Sequence, residues 1–179
     1  DIETFKLLSK HEGDPAPDSL SLAIKTFIIS CAIRWTRGEK MVFNSMLVHI
    51  QRMVIFQDFT TRMVKEELDK IRNQIVNQNM KSFEKIYNQD FVNTTNETLK
   101  CNAIDRGIKV GIHPLESFEE ITESIDEVMD RLSVVREYGK GQEDRLDYSE
   151  DKKGNYYICI GSDVLSRGLT LEGLTVSYF

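Results

Sequence analysis

The stretch Tyr156-Tyr157-Ile158-Cys159-Ile160-Gly161-Ser162-Asp163, running on through Val164, Leu165, Ser166, Arg167, Gly168 and Leu169, decides the fold. Tyr156 to Ile160 is an apolar run of β-favouring residues, as expected of a strand. Gly161, Ser162 and Asp163 break that run, and Val164, Leu165 and Leu169 then space as a short helical turn around Ser166-Arg167-Gly168. Leu174 to Phe179 is another strand candidate. Strand, helix, strand in that order predicts an α/β parallel sheet flanked by helices.

Upstream segments fit the same plan. Ser45 to Ile50 is a short apolar run with little period, which suits a strand buried within a parallel sheet. Before it, Leu20, Ala23, Ile24, Phe27, Ile28, Cys31, Ala32 and Trp35 recur at helical spacing with a wide apolar face. Asp18 or Ser19 would cap this helix, Arg37 and Gly38 would end it, and Trp35 reads as core. After the first strand, Val64, Leu68, Ile71 and Ile75 mark a long amphipathic helix reaching to about Met80. A further helical patch follows at Phe83 to Phe91. Ser117-Phe118-Glu119-Glu120 is a capping box that opens a helix through Phe118, Ile121, Ile125, Val128 and Leu132. Ser133 to Tyr138 is a short strand candidate. The expected organisation is one domain over 1–179, with a helical insertion at about 57–132 between the first two strands.

Composition narrows the function classes. The chain has 179 residues and a formal net charge of −6, whereas a free-standing nucleic-acid-binding module usually carries a basic surface. A locally basic cleft, or one completed by a neighbouring domain, remains compatible with that charge. Cys31, Cys101 and Cys159 are odd in number and far apart, giving neither a disulfide framework nor metal-ligand spacing. A reducing cytoplasm is the simplest home. His11 and His113 have no partners in sequence, so no metal site is expected. The acidic positions from Glu119 to Asp130 read as a solvated helix face. No signal or transit peptide is visible, and the longest apolar stretch is interrupted by Lys25 and Arg34, so no membrane partner is expected. The chain begins at Asp1 and stops within a strand-like run, and reads as a piece of a larger protein.

The candidate site follows from the strand end. Ligands of parallel sheets bind outside the carboxyl ends of the strands, and small residues there let a phosphate approach the backbone. The Ser162 hydroxyl and backbone N–H groups near Gly161 suit a nucleic-acid phosphate, although Ser162 and Asp163 would serve equally as a cap for the short helix. His49, Gln51 and Arg52 lie at and just beyond the end of the first strand, where they would reach the same rim. A lone histidine such as His49 is also commonly a buried residue bonded to a neighbour.

Tyr157 to Leu171 resembles motif V of superfamily-two helicases, whose DEAD-box version reads apolar strand, Ala-Thr-Asp-Val, two small residues, Arg-Gly-Leu-Asp. Gly161, Ser162, Asp163, Val164, Arg167, Gly168 and Leu169 stand at the corresponding places. Thr170 stands where those proteins carry an Asp that reaches the nucleotide. The blocks Phe27 to Arg34, Asn44 to Ile50 and Leu165 to Phe179 are further similar to the Z-one domain family, a family labelled an endonuclease domain that accompanies a superfamily-two helicase core in bacteria.

That resemblance implies a RecA-like second motor lobe of a nucleic-acid-dependent ATPase, acting on DNA in a restriction or defence system. Arg167 and Gly168 would be the catalytic pair facing ATP, and Gly161, Ser162, Asp163, Gln51, Arg52 and His49 would meet nucleic acid. ATP with Mg2+ would be held by the first RecA-like lobe of the same protein, because no G-x-x-x-x-G-K-[ST] loop occurs here. No cofactor is expected to bind this chain tightly alone. Two rivals remain: a metal-dependent DNA endonuclease domain, as the family label reads, and a non-catalytic scaffold recruiting a protein partner.

Overall fold

Apolar residues at Leu20, Ile24, Phe27, Ile28 and Cys31 return every three or four positions, and they build helix α1 (Asp18–Thr36), which buries all five. The computed structural model describes residues 14–49, 54–95, 115–136, 146, 148–149, 152, 154–161 and 171–179. Strand β1 (Asn44–Val48) follows, then helices α2 (Val54–Val76) and α3 (Lys81–Ile86). A π-helical segment continues from α3 over Tyr87–Val92. Helix α4 (Phe118–Asp130) leads directly into β2 (Leu132–Arg136), and β3 (Tyr156–Ile160) and β4 (Leu174–Tyr178) complete the order.

The four strands form one sheet in the order β2-β3-β1-β4, and every pairing is parallel. The expected α/β parallel sheet flanked by helices is therefore present, in an arrangement consistent with a RecA-like lobe. β1 and β3 are buried along their full length, which explains why both read as apolar runs without a period of two. Edge strand β4 is more exposed.

Met46, Val48, Tyr156, Ile158 and Ile160 share one buried cluster with the apolar faces of α1, α2, α3 and α4. Among the described residues, the opposite face holds a cluster of Phe43, Val135, Tyr157 and Cys159, with Leu146, Tyr148 and Leu171 against it. This division follows from handedness. Right-handed crossovers that step in opposite directions across a parallel sheet lie on opposite faces. The β1-to-β2 step goes one way and carries helices on the first face. The β2-to-β3 and β3-to-β4 steps go the other way, and their described residues Leu146, Tyr148 and Leu171 pack on the second.

Several boundaries differ from expectation for physical reasons. Pro17, rather than Asp18 or Ser19, occupies the cap of α1, and its carbonyl accepts from the Leu20 and Ser21 N–H groups. Asp18 sits in the first turn, where its charge complements the helix dipole, and the Ser19 hydroxyl bonds the Tyr178 hydroxyl at 2.9 Å. At the other end, Gly38 adopts φ +85°, and its N–H and that of Glu39 return to Trp35 and Arg34, closing a Schellman turn.

α2 begins ten residues before the first of its regularly spaced apolar positions, because Gln57 and Thr60 occupy its inward face and are buried although polar. It stops at Val76 rather than near Met80, where Gln78 takes a positive φ of 54°. Leu132 starts β2 instead of closing α4. The capping box is formed, with Ser117 and Glu120 bonding each other's backbone at 3.3 and 2.8 Å. Those bonds hold the Glu120 carboxyl below its ordinary range. Trp35 is only half-buried, and its ring lies under Lys40 and Arg131 at 5.3 and 4.9 Å.

Candidate functional site

In a parallel sheet all strands end at one edge, so the register states which residues meet there. Arg136, Ile160, Val48 and Tyr178 form one rung across β2, β3, β1 and β4, and each lies at the carboxyl end of its strand. Beyond that rung stand Gly161, His49 and Phe179. The Gly161 N–H donates to the Val48 carbonyl at 3.2 Å, and the His49 N–H donates to the Tyr178 carbonyl at 2.9 Å. These bonds hold the ends of three adjacent strands together. Gly161 is buried, and the half-buried His49 ring lies 5.8 Å from that of Phe179 at a tilt. His49 is thus packed on an aromatic neighbour at the expected rim.

Of the residues singled out from sequence, Gly161 and His49 come together at this edge. Gln51, Arg52, Ser162, Asp163, Arg167 and Gly168 lie outside the described residues, as do Thr170, His11 and His113.

The same edge carries a pair that sequence reading passed over. Arg136 forms an ion pair through Nη1 with Asp58 of α2. Nothing in the sequence links positions 58 and 136, and only the register of β2 shows that Arg136 ends its strand. α2 starts close by in sequence, after β1, and has no acidic residue in its first turn.

The amino edge is built differently. Arg34, Asn44, Ser45, Glu172 and Gly173, all within the sequence blocks quoted above, converge here. Arg34 Nη1 donates to Asn44 Oδ1 at 2.5 Å, while its Nε meets Glu39 at 2.7 Å. Asn44 is fully buried and Nδ2 donates to the Val42 carbonyl at 3.3 Å. The Ser45 hydroxyl donates to the Glu172 carbonyl at 2.8 Å, and the Ser45 N–H donates to the Gly173 carbonyl at 2.9 Å. The Glu172 N–H donates in turn to the Tyr148 hydroxyl at 3.2 Å. Gly173 has φ +64°, and a Cβ there would sit 2.0 Å from the Phe43 carbonyl oxygen. These five residues fasten β4 and α1 to the base of β1, and their geometry is that of a structural clip.

Cys31 and Cys159 are buried thiols, and burial pushes the Cys31 thiol well above its ordinary range. Neither residue has the electropositive, partly exposed setting of a reactive cysteine. Among the described residues, no three of His, Cys, Asp and Glu gather so that they could hold a metal ion, and no helix is long and apolar enough to cross a membrane.

The family model of the Z1 domain matches residues 19–179. No curated protein and no solved structure matches the chain.

Proposed function

The chain belongs to the Z1 domain family, and from that premise we propose that it is the second motor lobe of a nucleic-acid-dependent ATPase that acts on DNA. The observation carrying this reading is the carboxyl edge of the all-parallel sheet. There the buried Gly161 closes β3 against β1, immediately before the Ser162 to Leu169 stretch that resembles a helicase motif V. A strand that ends in small residues at this edge is where α/β sheets receive phosphate-bearing ligands.

In this reading ATP with Mg2+ is the substrate, gripped chiefly by a first lobe, and its hydrolysis supplies the free energy for changing the hold on DNA. This chain contributes Arg167 and Gly168 toward the nucleotide, and Gly161, Ser162, Asp163, Gln51, Arg52 and His49 toward the nucleic acid. A role in restriction or defence belongs to the same proposal.

The experiment is ATP turnover by the complete protein, with and without single-stranded and duplex DNA, for wild type and Arg167→Ala. DNA-stimulated turnover by the wild type, reduced about 100-fold in the variant with folding intact, is the expected result, on the scale of removing one electrostatic group from a reaction centre. Unchanged stimulated turnover in Arg167→Ala would remove that residue from the mechanism. Absence of hydrolysis in a well-folded wild type under every condition would overturn the motor reading.

A further inference from the structure

We propose that Phe179, steadied by His49, is a stacking platform for an unpaired base, so that the strand this lobe meets is single-stranded DNA. This rests on the nucleic-acid part of the reading above and deepens it, adding a residue to the site and selecting one form of DNA.

The pair stands at the carboxyl edge beside Gly161. The bond from the His49 N–H to the Tyr178 carbonyl, at 2.9 Å, fixes the backbone of β1 and β4 where the two strands end. The ring centres of His49 and Phe179 lie 5.8 Å apart at 48°, a tilted contact that is not a face-to-face stack. Phe179 is 82% exposed and His49 is half-buried, so the imidazole is the support and the phenyl ring the open surface. Val48 and Tyr178 belong with the first-face cluster, and in an extended strand the next residue turns to the second face. Leu171, which closes the stretch that begins after Gly161 and resembles motif V, packs on that same face. An aromatic ring is thereby set next to a strand end where a phosphate can approach the backbone.

The neighbours choose the occupant. Among the described residues, the other exposed large apolar side chains are Met41, Val42 and Leu174 toward the amino ends of the strands, Val76 at the end of α2, and Leu22 on α1. Phe179 therefore has an imidazole and a glycine beside it, and no apolar groove into which an amphipathic helix would fit. A base matches this setting, because its flat face takes the phenyl ring while its polar edge is left to the imidazole and to water. Stacking also needs no positive field, which suits a chain of net charge −6. In a duplex both faces of each base are already covered by neighbouring pairs, so an unpaired base is the one that can use the platform.

The test is binding of the complete protein to a fluorescein-labelled oligothymidylate, to the same strand carrying abasic sites, and to a duplex, read by anisotropy. Phe179→Leu keeps the apolar bulk of an exposed side chain and removes the ring, whereas Phe179→Trp keeps a ring. Phe179→Leu is expected to bind oligothymidylate about 10-fold more weakly with an unchanged salt slope, and Phe179→Trp to bind as tightly as wild type. Wild type should bind the abasic strand as weakly as Phe179→Leu binds the intact one, and all three proteins should bind duplex alike. Equal affinity of Phe179→Leu and wild type for oligothymidylate overturns the platform, and persistent DNA-stimulated ATPase would then leave the motor reading standing without it. Weaker binding of a fluorescent ATP analogue by Phe179→Leu, with DNA affinity unaltered, would assign the ring to the base of ATP and overturn the proposal too. The expected loss in a protein that never hydrolyses ATP upholds the platform and overturns the motor reading. No binding to single strands overturns the platform.

Discussion

On one face of the sheet, Met46, Val48, Ile158 and Ile160 meet helices whose apolar side chains continue into a single large cluster. On the other, among the described residues, Val135, Tyr157 and Cys159 meet Leu146, Tyr148 and Leu171 from connecting segments, with Phe43 against Tyr148 and Tyr157 and a Ser45–Glu172 hydrogen bond beside them. The first face owes its stability to area removed from water, which is insensitive to direction. Among the described residues, the second face adds directed hydrogen bonds, which fail when their geometry is altered.

If this contrast is right, the largest loss should come from the backbone clip. Gly173→Ala would place a methyl against the Phe43 carbonyl at positive φ, and should cost about 3 kcal/mol in urea unfolding. Gly38→Ala shares the positive φ but meets open space, so its cost should stay near 1 kcal/mol. Equal losses at the two glycines would show that backbone angle alone matters and that the clip does not. Next comes a matched pair of truncations. Val48→Ala on the first face should cost about 2–3 kcal/mol, and Val135→Ala on the second about 1 kcal/mol. A reversed order would break the comparison.

The smallest effect is expected at Tyr148→Phe, about 1 kcal/mol for the lost bonds to Glu172 and Ser45. The same residue gives the contrast a pH signature. Burial raises the Tyr148 phenol above its ordinary value, so its folded form holds the proton more tightly than the unfolded form does. The stability it contributes is present below about pH 10, the unfolded value, and is lost as pH rises through the folded value. Tyr148→Phe should flatten that alkaline fall relative to wild type, and an identical fall in both would assign it to other groups.

The layers that depend on apolar pattern were legible in the sequence, and those that depend on long-range polar geometry were not. α1, β1, β3 and the capped start of α4 follow from spacing or local chemistry that a short window contains. The first turns of α2 escaped because their inward side chains, Gln57 and Thr60, carry no apolar signal. The clip escaped because it joins Ser45 to residues at 148 and 172, and the Arg136–Asp58 pair escaped for the same reason. At the candidate site, Gly161 and His49 were anticipated from their place at strand ends, and the structure sets them on one edge. Conversely, the quoted blocks contained Asn44, Ser45 and Gly173 for reasons of architecture that a linear reading cannot separate from chemistry.

Strand β1 lies in the middle of the sheet, yet its two partners occupy positions 156–160 and 174–178. During synthesis, β1 would leave the ribosome long before either neighbour exists, and α1 and α2 are the nearest elements able to shelter it. Pairings of such high sequence separation are slow to form, because the loop-closure entropy is lost before the contacts that repay it are made. The bare edges of β1 would be open to mispairing throughout that interval. The yield of folded protein should therefore depend on how fast the last strands are delivered, and chaperones that mask unpaired strands should raise it.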